Sequence, residues 1–445
     1  MRAHFVLAVL LAPLAGCCRD KVNGEGYFCF GEISDAEEER LGAQYAPSFI
    51  AESGGLYPDE ELNSYLRGIV IDKMARRSHR PHLNWKFHVL DSSQINAFAL
   101  PGGQIFVTRG LIARLESEAQ FAHLMGHEIG HVSHQHSVRG QSRGALFAIL
   151  LGALTIAEDQ LTDPDEPPLI ATMVGAVGQL TLLKFSRDQE LQSDRRGVDY
   201  ALKAGYDPRE GRKTFEMFLR VKREAGQQEN LISGLLSTHP LDSRRIEGIK
   251  RYIDERHPDL SPDLTRSGSR WPAMLARLRR NHSVYEQHDR ALALLARAQR
   301  DGNGSTLAEA EGLLRRCADQ LPGHAAFHVG LSALLLEKKD LAAAERSLDE
   351  ACRLDPDHFG ARLYRGIVYR KTGRADAAVA DLRRAHQVHG VHPLPCYLLG
   401  SLYEEKGDTV AAMDWFLRSV ELSPRGTEIR RKSRAGLARV SHQTP

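Results

Sequence analysis

Apolar residues in the first half of the chain follow two different spacings. Trp85, Phe87 and Val89 are separated by single polar residues, which predicts a strand. From residue 117 onwards the spacing becomes helical, with apolar positions at Phe121, Leu124, Met125, Ile129 and Val132. Ser117 followed by Gln120 forms a capping-box pattern in front of them. These patterns predict a strand followed by a buried helix over residues 117–138.

Further elements surround this helix. Ser34 followed by Glu37 predicts the start of a helix that runs to about residue 49, and a second helix is predicted over about 60–76. Residues 95–112 contain two short strand-like runs around the turn at Pro101-Gly102-Gly103. We therefore expect a hairpin that packs on the helix over 117–138.

The last third of the chain repeats every 34 residues. Two sets of positions keep this step from about residue 291: Ala310, Ala344, Ala378 and Ala412, and Leu314, Leu348, Leu382 and Phe416. Small residues where helices cross, with proline ending the second helix of most units, are typical of tetratricopeptide repeats. We expect about four units over 291–435, an all-α solenoid whose concave face binds peptides or partner proteins. Residues 256–290 are the predicted helical linker, and 436–445 a tail.

The composition argues against one class of partner, and the N-terminus indicates where the protein is located. A chain of 445 residues is long enough for two or three domains, and a net charge of +2 with 7% aromatic residues argues against a nucleic-acid partner. An apolar run over 5–11 is followed by Leu14-Ala15-Gly16-Cys17, which resembles a bacterial lipobox. That resemblance implies a signal peptide over 1–16 and lipidation of Cys17, and the glycine-rich segment that follows is the predicted tether over 17–32. The alternative is an ordinary signal peptide.

The predicted helix over 117–138 carries the motif H-E-x-x-H, at His127, Glu128 and His131. Residues four apart lie on one face of a helix, so the two histidines can bind one metal ion together. Glu128 follows His127 on the helix, so it can act as a general base on a metal-bound water molecule instead of binding the metal itself. A chance match is the alternative, but the motif falls on a helix predicted to be buried.

A catalytic zinc ion usually has three protein ligands and one open position, so a third ligand is needed. Glu190 and Asp194 lie four apart on a later predicted helix. Glu190 can bind the metal, and Asp194 can accept the ring N–H of a ligand histidine. A solvated helix face is the alternative for either carboxylate alone. His123, His134 and His136 are expected to support the site or to lie at the surface.

Three motifs together resemble one family of zinc metallopeptidases: NAFALPGG at 96–103, GHEIGH at 126–131 and SRDQELQSD at 186–194. It is the gluzincin family of the β-barrel assembly-enhancing protease type, which also includes the CAAX prenyl proteases. The family motif E-x-E-A-D is changed here, because Gln192 and Ser193 replace its second Glu and its Ala. The resemblance implies one Zn²⁺ per chain and a mainly helical α+β fold, with a zincin-type domain and a small sheet over 33–255.

Three further segments have expected roles. The edge at Asn96-Ala97-Phe98 would pair with an extended peptide substrate as an added strand, or the hairpin would only pack on the helix. The same resemblance implies that His239 lies over the metal, either occupying its open position or stabilising the oxyanion, and that Arg245 supports the site. A capping turn before a helix over 241–256 is the alternative for this segment. Residues 145–157 and 169–185 are apolar but short, and we expect buried or membrane-surface helices there rather than membrane spans.

We therefore expect a zinc endopeptidase that is lipid-anchored to the outer membrane on its periplasmic side. Its expected substrates are unfolded or stalled envelope proteins, and the outer-membrane assembly machinery is a possible partner of the repeats. The rival expectation is an envelope chaperone or assembly factor that binds partners through its repeats and whose protease activity is latent. Retention of Glu128 favours the enzyme.

Overall fold

A computed structural model describes residues 17–28, 33–139, 185–225, 235, 239 and 243–442. Over these residues the fold is mainly helical with a small sheet, and its second half is a helical repeat region, as the sequence predicts. The apolar stretches at 145–157 and 169–184 lie outside the described residues. No described helix is both long enough and apolar enough to cross a membrane.

The first half begins with strands β1 (Cys17–Arg19) and β2 (Gly26–Phe28), which pair antiparallel. Its sheet contains β3 (Lys86–Leu90), β4 (Ala97–Leu100) and β5 (Gln104–Thr108). The helices are α1 (Asp35–Glu52), α2 (Glu60–Arg67), α3 (Arg109–Arg114), α4 (Glu118–Ser133), α5 (Arg187–Lys203), α6 (Glu210–Ala225) and α7 (Ser243–Arg256). A π-helical turn over 68–74 and a 3₁₀ turn over 75–77 extend α2, so the predicted helix over 60–76 is confirmed.

The sheet has the strand order β3-β5-β4, in which β3 runs parallel to β5 and β4 runs antiparallel to it. The predicted turn between β4 and β5 is present, and Gly102 has φ 73° there. A Cβ at this position would lie 2.4 Å from the backbone of Glu39, so no larger residue fits. The turn therefore docks directly on α1 and fixes the sheet against the helices.

Helix α4 runs through the centre of the first half, and all of its residues, Glu118–Ser133, are buried. Ser117 caps it by accepting a hydrogen bond from the N–H of Gln120, as the capping-box pattern predicts. Its apolar face packs with the sheet and with the extension of α2 in one core. The polar residues of this helix are therefore buried together with its apolar ones.

The second half consists of stacked helix pairs. The helices are α8 (Trp271–Arg280), α9 (His282–Asp301), α10 (Gly304–Gln320), α11 (Ala325–Glu337), α12 (Leu341–Leu354), α13 (Phe359–Lys371), α14 (Ala375–Val388), α15 (Pro393–Glu405), α16 (Thr409–Leu422) and α17 (Glu428–Ser441). The alanines that recur every 34 residues are fully buried where the helices of a pair cross. Four pairs run from α9 to α16, and α17 covers the last one.

Buried polar contacts join the repeats to the first half. Glu52, at the end of α1, accepts a hydrogen bond of 2.6 Å from His389, which follows α14. Arg109 donates a hydrogen bond to Asp91 and lies 3.7 Å from the ring centre of Tyr285 in α9. The solenoid is therefore packed against the first half, and part of its surface is already covered by the chain itself.

The segment predicted as a tether contains folded structure. Its hairpin of β1 and β2 places Asp20 in a fully buried position, where it pairs with His134 and Arg139. Cys17 lies in β1 and pairs with Phe28 in the register of the hairpin. Cys18 is disulfide-bonded, whereas Cys317, Cys352 and Cys396 are not in disulfides.

Candidate metal centre

The site is built where α4 and α5 cross at short distance. Gly130 allows this approach, because a Cβ there would lie 2.9 Å from the Cβ of Arg196 and 3.2 Å from the Cα of Ser193. The crossing brings Glu190 of α5 opposite the two histidines of α4. The helical spacing of His127 and His131 and the position of Glu190 on a second helix therefore combine at one place.

Four side chains converge there: His127, His131, Glu190 and His239, all buried and with one donor atom each within 4.8 Å of the others. The Nε2 atoms of His127 and His131 are 3.0 Å apart, and His131 Nε2 is 3.4 Å from Glu190 Oε1. Donor atoms that surround a tetrahedral zinc ion at about 2.0–2.1 Å are about 3.3 Å apart. The three residues proposed from the sequence as ligands thus have a spacing that fits one small cation.

A carboxylate lies next to the ring nitrogen of His127 that faces away from the donor cluster. Its Nδ1 is 2.9 Å from Oδ1 of Asp194, the residue expected to accept its ring N–H. Such partners fix the tautomer and the ring orientation of a ligand histidine. Burial favours the neutral acid, but Arg245 and His127 outweigh it and lower the pKa of Asp194 to about 2. Asp194 is therefore a carboxylate that leaves Nε2 of His127 free to bind a metal.

Arg245 of α7 is central to the charge balance of the site. It is buried and donates two hydrogen bonds to Asp194, of 2.8 and 2.7 Å, while its Nη1 lies 2.6 Å from Oε2 of Glu190. Burial opposes ionisation of Glu190, yet His239 and Arg245 hold its pKa well below its usual range. Arg245 thus supports both carboxylates, as the sequence resemblance implies.

Glu128 differs from the other two acids. Both of its carboxylate oxygens are buried, and neither has a hydrogen-bond partner among the described residues. Burial raises the pKa of Glu128 above its usual range. With the histidines neutral and the acids ionised, Glu128, Glu190 and Asp194 carry three negative charges against the one positive charge of Arg245. A divalent cation would neutralise the difference, so the donor set fits such an ion.

His239 completes the cluster from a separate loop. Its Nδ1 lies 3.0 Å from Oε1 of Glu190 and 3.4 Å from Nε2 of His127, and its Nε2 is 3.7 Å from Oε1 of Glu128. Burial would lower the pKa of His239, but Glu190 and Glu128 outweigh it and raise that pKa. The imidazole therefore stands where a fourth ligand would stand and also faces the carboxylate of Glu128.

The expected substrate edge is at the rim of the sheet. Strand β4 is an edge strand in the order β3-β5-β4, and Asn96, Ala97 and Phe98 are buried there. The side-chain amide of Asn96 has no hydrogen-bond partner among the described residues. Its buried and unpaired donor and acceptor are compatible with a bound peptide, and strand addition at this edge stays a prediction.

The surface alternative for His123, His134 and His136 is wrong, because all three are buried. His136 matters most: its Nδ1 lies 2.9 Å from Nδ1 of His131. Nothing in the helical spacing indicates this contact, since His136 comes after the last residue of α4. The one available clue was its position just beyond the helix end, where a turn can fold the chain back onto its last turn.

Comparisons with known proteins indicate the families to which the two halves are similar. The model of peptidase family M48 matches residues 62–253, and two tetratricopeptide models match 333–388 and 395–425. The chain is 33% identical over 172 residues to the mitochondrial metalloendopeptidase OMA1 of Arabidopsis thaliana, covering 38% of this chain and 32% of that protein. It is 25% identical over 255 residues to the beta-barrel assembly-enhancing protease of Escherichia coli K12, covering 56% of this chain and 50% of that protein.

The match to OMA1 of Bos taurus is 32% identical over 176 residues, 39% of this chain and 33% of that protein. The chain thus spans between a third and a half of the length of these relatives. The segment that matches family M48, residues 62–253, contains all three motifs at 96–103, 126–131 and 186–194. The chain therefore carries a metallopeptidase domain of peptidase family M48 followed by C-terminal tetratricopeptide repeats.

Proposed function

We propose that the chain is a zinc-dependent endopeptidase in which His127, His131 and Glu190 hold one Zn²⁺ ion. The observation that carries the proposal is the buried donor set beside the unpaired carboxylate of Glu128. Two imidazoles and one carboxylate are a common ligand set of catalytic zinc in peptidases. The bound ion would polarise the peptide carbonyl and make a water molecule more acidic.

The chain's own residues supply the proton transfers. Glu128 has no hydrogen bond that would compete for its carboxylate, so it can accept a proton from the attacking water and deliver it to the leaving nitrogen. Asp194 and Arg245 keep His127 and Glu190 in place during this exchange. Burial of all these groups excludes bulk water and strengthens their electrostatic interactions.

We further propose that the enzyme acts in the bacterial cell envelope, lipid-anchored through Cys17 to the periplasmic side of the outer membrane. The lipobox-like sequence supports this location. Unfolded or stalled envelope proteins are the proposed substrates, and the relative named beta-barrel assembly-enhancing protease supports that choice. The repeats would bind these proteins or the outer-membrane assembly machinery.

One observation favours a second candidate, an envelope chaperone or assembly factor whose protease activity is latent. His239 places Nδ1 among the donor atoms and Nε2 near Glu128. In this position it would fill the fourth ligand position and block access of a water molecule to the general base. A closed fourth position is typical of structural rather than catalytic zinc. On this alternative, cleavage requires that a substrate or a partner move the loop.

The experiment that tests the proposal measures metal content and substrate capture together. Purified protein should contain about one zinc ion per chain, as a single donor set implies, and the His131→Ala variant should lose it. A Glu128→Gln variant expressed in cells should retain uncleaved envelope proteins that can be identified after cross-linking. Full zinc content in His131→Ala would contradict the ligand assignment, and capture of the same proteins by wild-type enzyme without cleavage would favour the latent form.

A further inference from the structure

The two ligand histidines are supported in different ways. Each presents Nε2 to the donor cluster and Nδ1 to a neighbour, but His127 faces the carboxylate of Asp194 whereas His131 faces another imidazole. A histidine that binds a metal almost always gives its second ring N–H to a carboxylate, a carbonyl oxygen or water. The partner of His131 is therefore unusual.

A turn at the end of α4 brings this partner into place. The N–H of His136 donates to the carbonyl oxygen of His131 at 3.0 Å, and the N–H of Gln135 donates to that of Val132 at 3.1 Å. Gln135 has φ 56°, in the left-handed region. These two bonds and this conformation define a Schellman motif, which reverses the chain at a helix end. The motif folds the ring of His136 back beneath His131.

Protonation states along the contact follow from the proposed ligand role of His131. A neutral imidazole that binds a cation through Nε2 carries its proton on Nδ1. That Nδ1–H must donate to Nδ1 of His136, which therefore has no proton of its own. The proton of His136 is then on Nε2, and Nε2 lies 3.0 Å from Oε1 of Gln192, an acceptor. Each donor thus meets an acceptor.

Two further contacts keep the ring of His136 in position. His134 stacks on it with ring centres 5.1 Å apart and planes 8° apart, and His134 is itself bound to the buried Asp20. Ser193 places its Oγ 3.3 Å from Nδ1 of His136, where it can donate a second hydrogen bond. Both contacts are compatible with an unprotonated Nδ1.

We infer that His136 and Gln192 are positioning residues that fix His131 in its metal-binding tautomer. They do so through two successive hydrogen bonds, from His131 Nδ1–H to His136 and from His136 to Gln192. This inference rests on the proposed ligand role of His131. Gln192 stands where the family motif has Glu, so the series ends here on a neutral amide instead of a carboxylate. His131 is consequently oriented without an added negative charge, whereas His127 has that of Asp194.

The test measures the affinity of the full-length apoprotein for Zn²⁺ by competition with a chelator. His136→Phe removes the acceptor and should weaken zinc binding by about 10- to 100-fold, the usual loss for such a partner. His136→Asn places an amide oxygen near the position of Nδ1 and should retain most of the affinity. Gln192→Met should weaken binding less than His136→Phe, and Gln192→Glu should bind at least as tightly as wild type.

A matched control is available in the sheet. His88 and Gln104 form a histidine–glutamine hydrogen bond of 2.9 Å between β3 and β5, away from the donor cluster. His88→Phe should leave the zinc affinity unchanged. Because a histidine that is hydrogen-bonded to a glutamine is replaced in both variants, one half-buried and one buried, a loss confined to His136→Phe reflects the contact to His131 and not the loss of any such pair.

Tautomers give a second readout that a purely structural role would not produce. Nitrogen NMR of the zinc-loaded protein with labelled histidine should show His136 protonated at Nε2 and His131 at Nδ1. Protonation of His136 at Nδ1, or wild-type affinity in both His136→Phe and Gln192→Met, would overturn the inference. Zinc binding by His131→Ala at wild-type affinity would instead contradict the proposed ligand set, so the two failures are distinct.

Discussion

Replacement of Arg245 by methionine is the perturbation for which the structure gives the clearest magnitude. Arg245 is buried and satisfies two carboxylates, Asp194 with two hydrogen bonds and Glu190 through Nη1. Its guanidinium also lies 4.7 Å from the ring centre of Phe215. Methionine retains an unbranched chain against Phe215 but removes the charge and all the hydrogen bonds.

Loss of one partner from a buried ion pair costs about 3–5 kcal/mol, because the other charge stays buried without compensation. We expect the free energy of unfolding of the apoprotein to fall by about this amount in Arg245→Met. For a domain of about 200 residues, 1 kcal/mol shifts the melting temperature by roughly 2–4 °C, so a fall of about 6–20 °C is expected for the catalytic-domain transition.

Thermal unfolding with excess chelator measures this effect without a contribution from metal binding. Arg244→Met is the matched control: Arg244 precedes Arg245 on α7 and is exposed, so we expect a change within about 0.5 kcal/mol. The double variant Arg245→Met/Asp194→Asn should recover part of the loss, because it removes one of the uncompensated charges. A change below about 1 kcal/mol in Arg245→Met would refute the reasoning from buried charge.

Three other predictions follow from the structure. His239→Ala should raise basal cleavage of an unfolded protein substrate, because His239 lies among the donor atoms and faces Glu128; a loss of roughly 100-fold or more would instead assign it to oxyanion stabilisation. Cys17→Ser should abolish acyl labelling and membrane attachment, and normal attachment of the unlabelled variant in membrane fractions would contradict lipidation. Burial raises the pKa of Glu52 from 4.5 to about 7, so its contribution to stability is full below pH 4.5 and is lost as the pH rises through 7, by at most about 3 kcal/mol. Glu52→Gln should remove this loss of stability in thermal melts between pH 5 and 8. The neighbouring His389 and His392 stay neutral in the folded state over this range, because burial lowers the pKa of each to about 3. Identical dependence of stability on pH in wild type and Glu52→Gln would contradict the prediction.

The parts of the site that could be predicted from the sequence depend on local periodicity. His127 and His131 are neighbours because they are four apart on a helix, and Glu190 and Asp194 are related in the same way. The repeats were also predictable, since each 34-residue unit buries the same small and apolar positions. Within such segments, spacing alone determines which side chains share a face.

Other parts depend on contacts that spacing does not encode. The contact of His136 with His131 requires a left-handed conformation at Gln135, a residue type in which that conformation is uncommon. Asp20 meets His134 across 114 positions, and Arg245 meets Asp194 across 51. These long-range pairs arise from the packing of the hairpin and of α7 on the α4–α5 crossing, which no local pattern in this chain predicts.

The central claim is that Glu128 transfers protons in a metal-dependent peptidase site without holding the metal itself. The most direct measurement compares casein cleavage and zinc content in wild type, Glu128→Gln and Glu116→Gln, the last being the same change at an exposed carboxylate just before α4. We predict that Glu128→Gln retains wild-type zinc content and loses cleavage, whereas Glu116→Gln retains both. Cleavage by Glu128→Gln at the wild-type rate, or loss of its zinc, would contradict the claim.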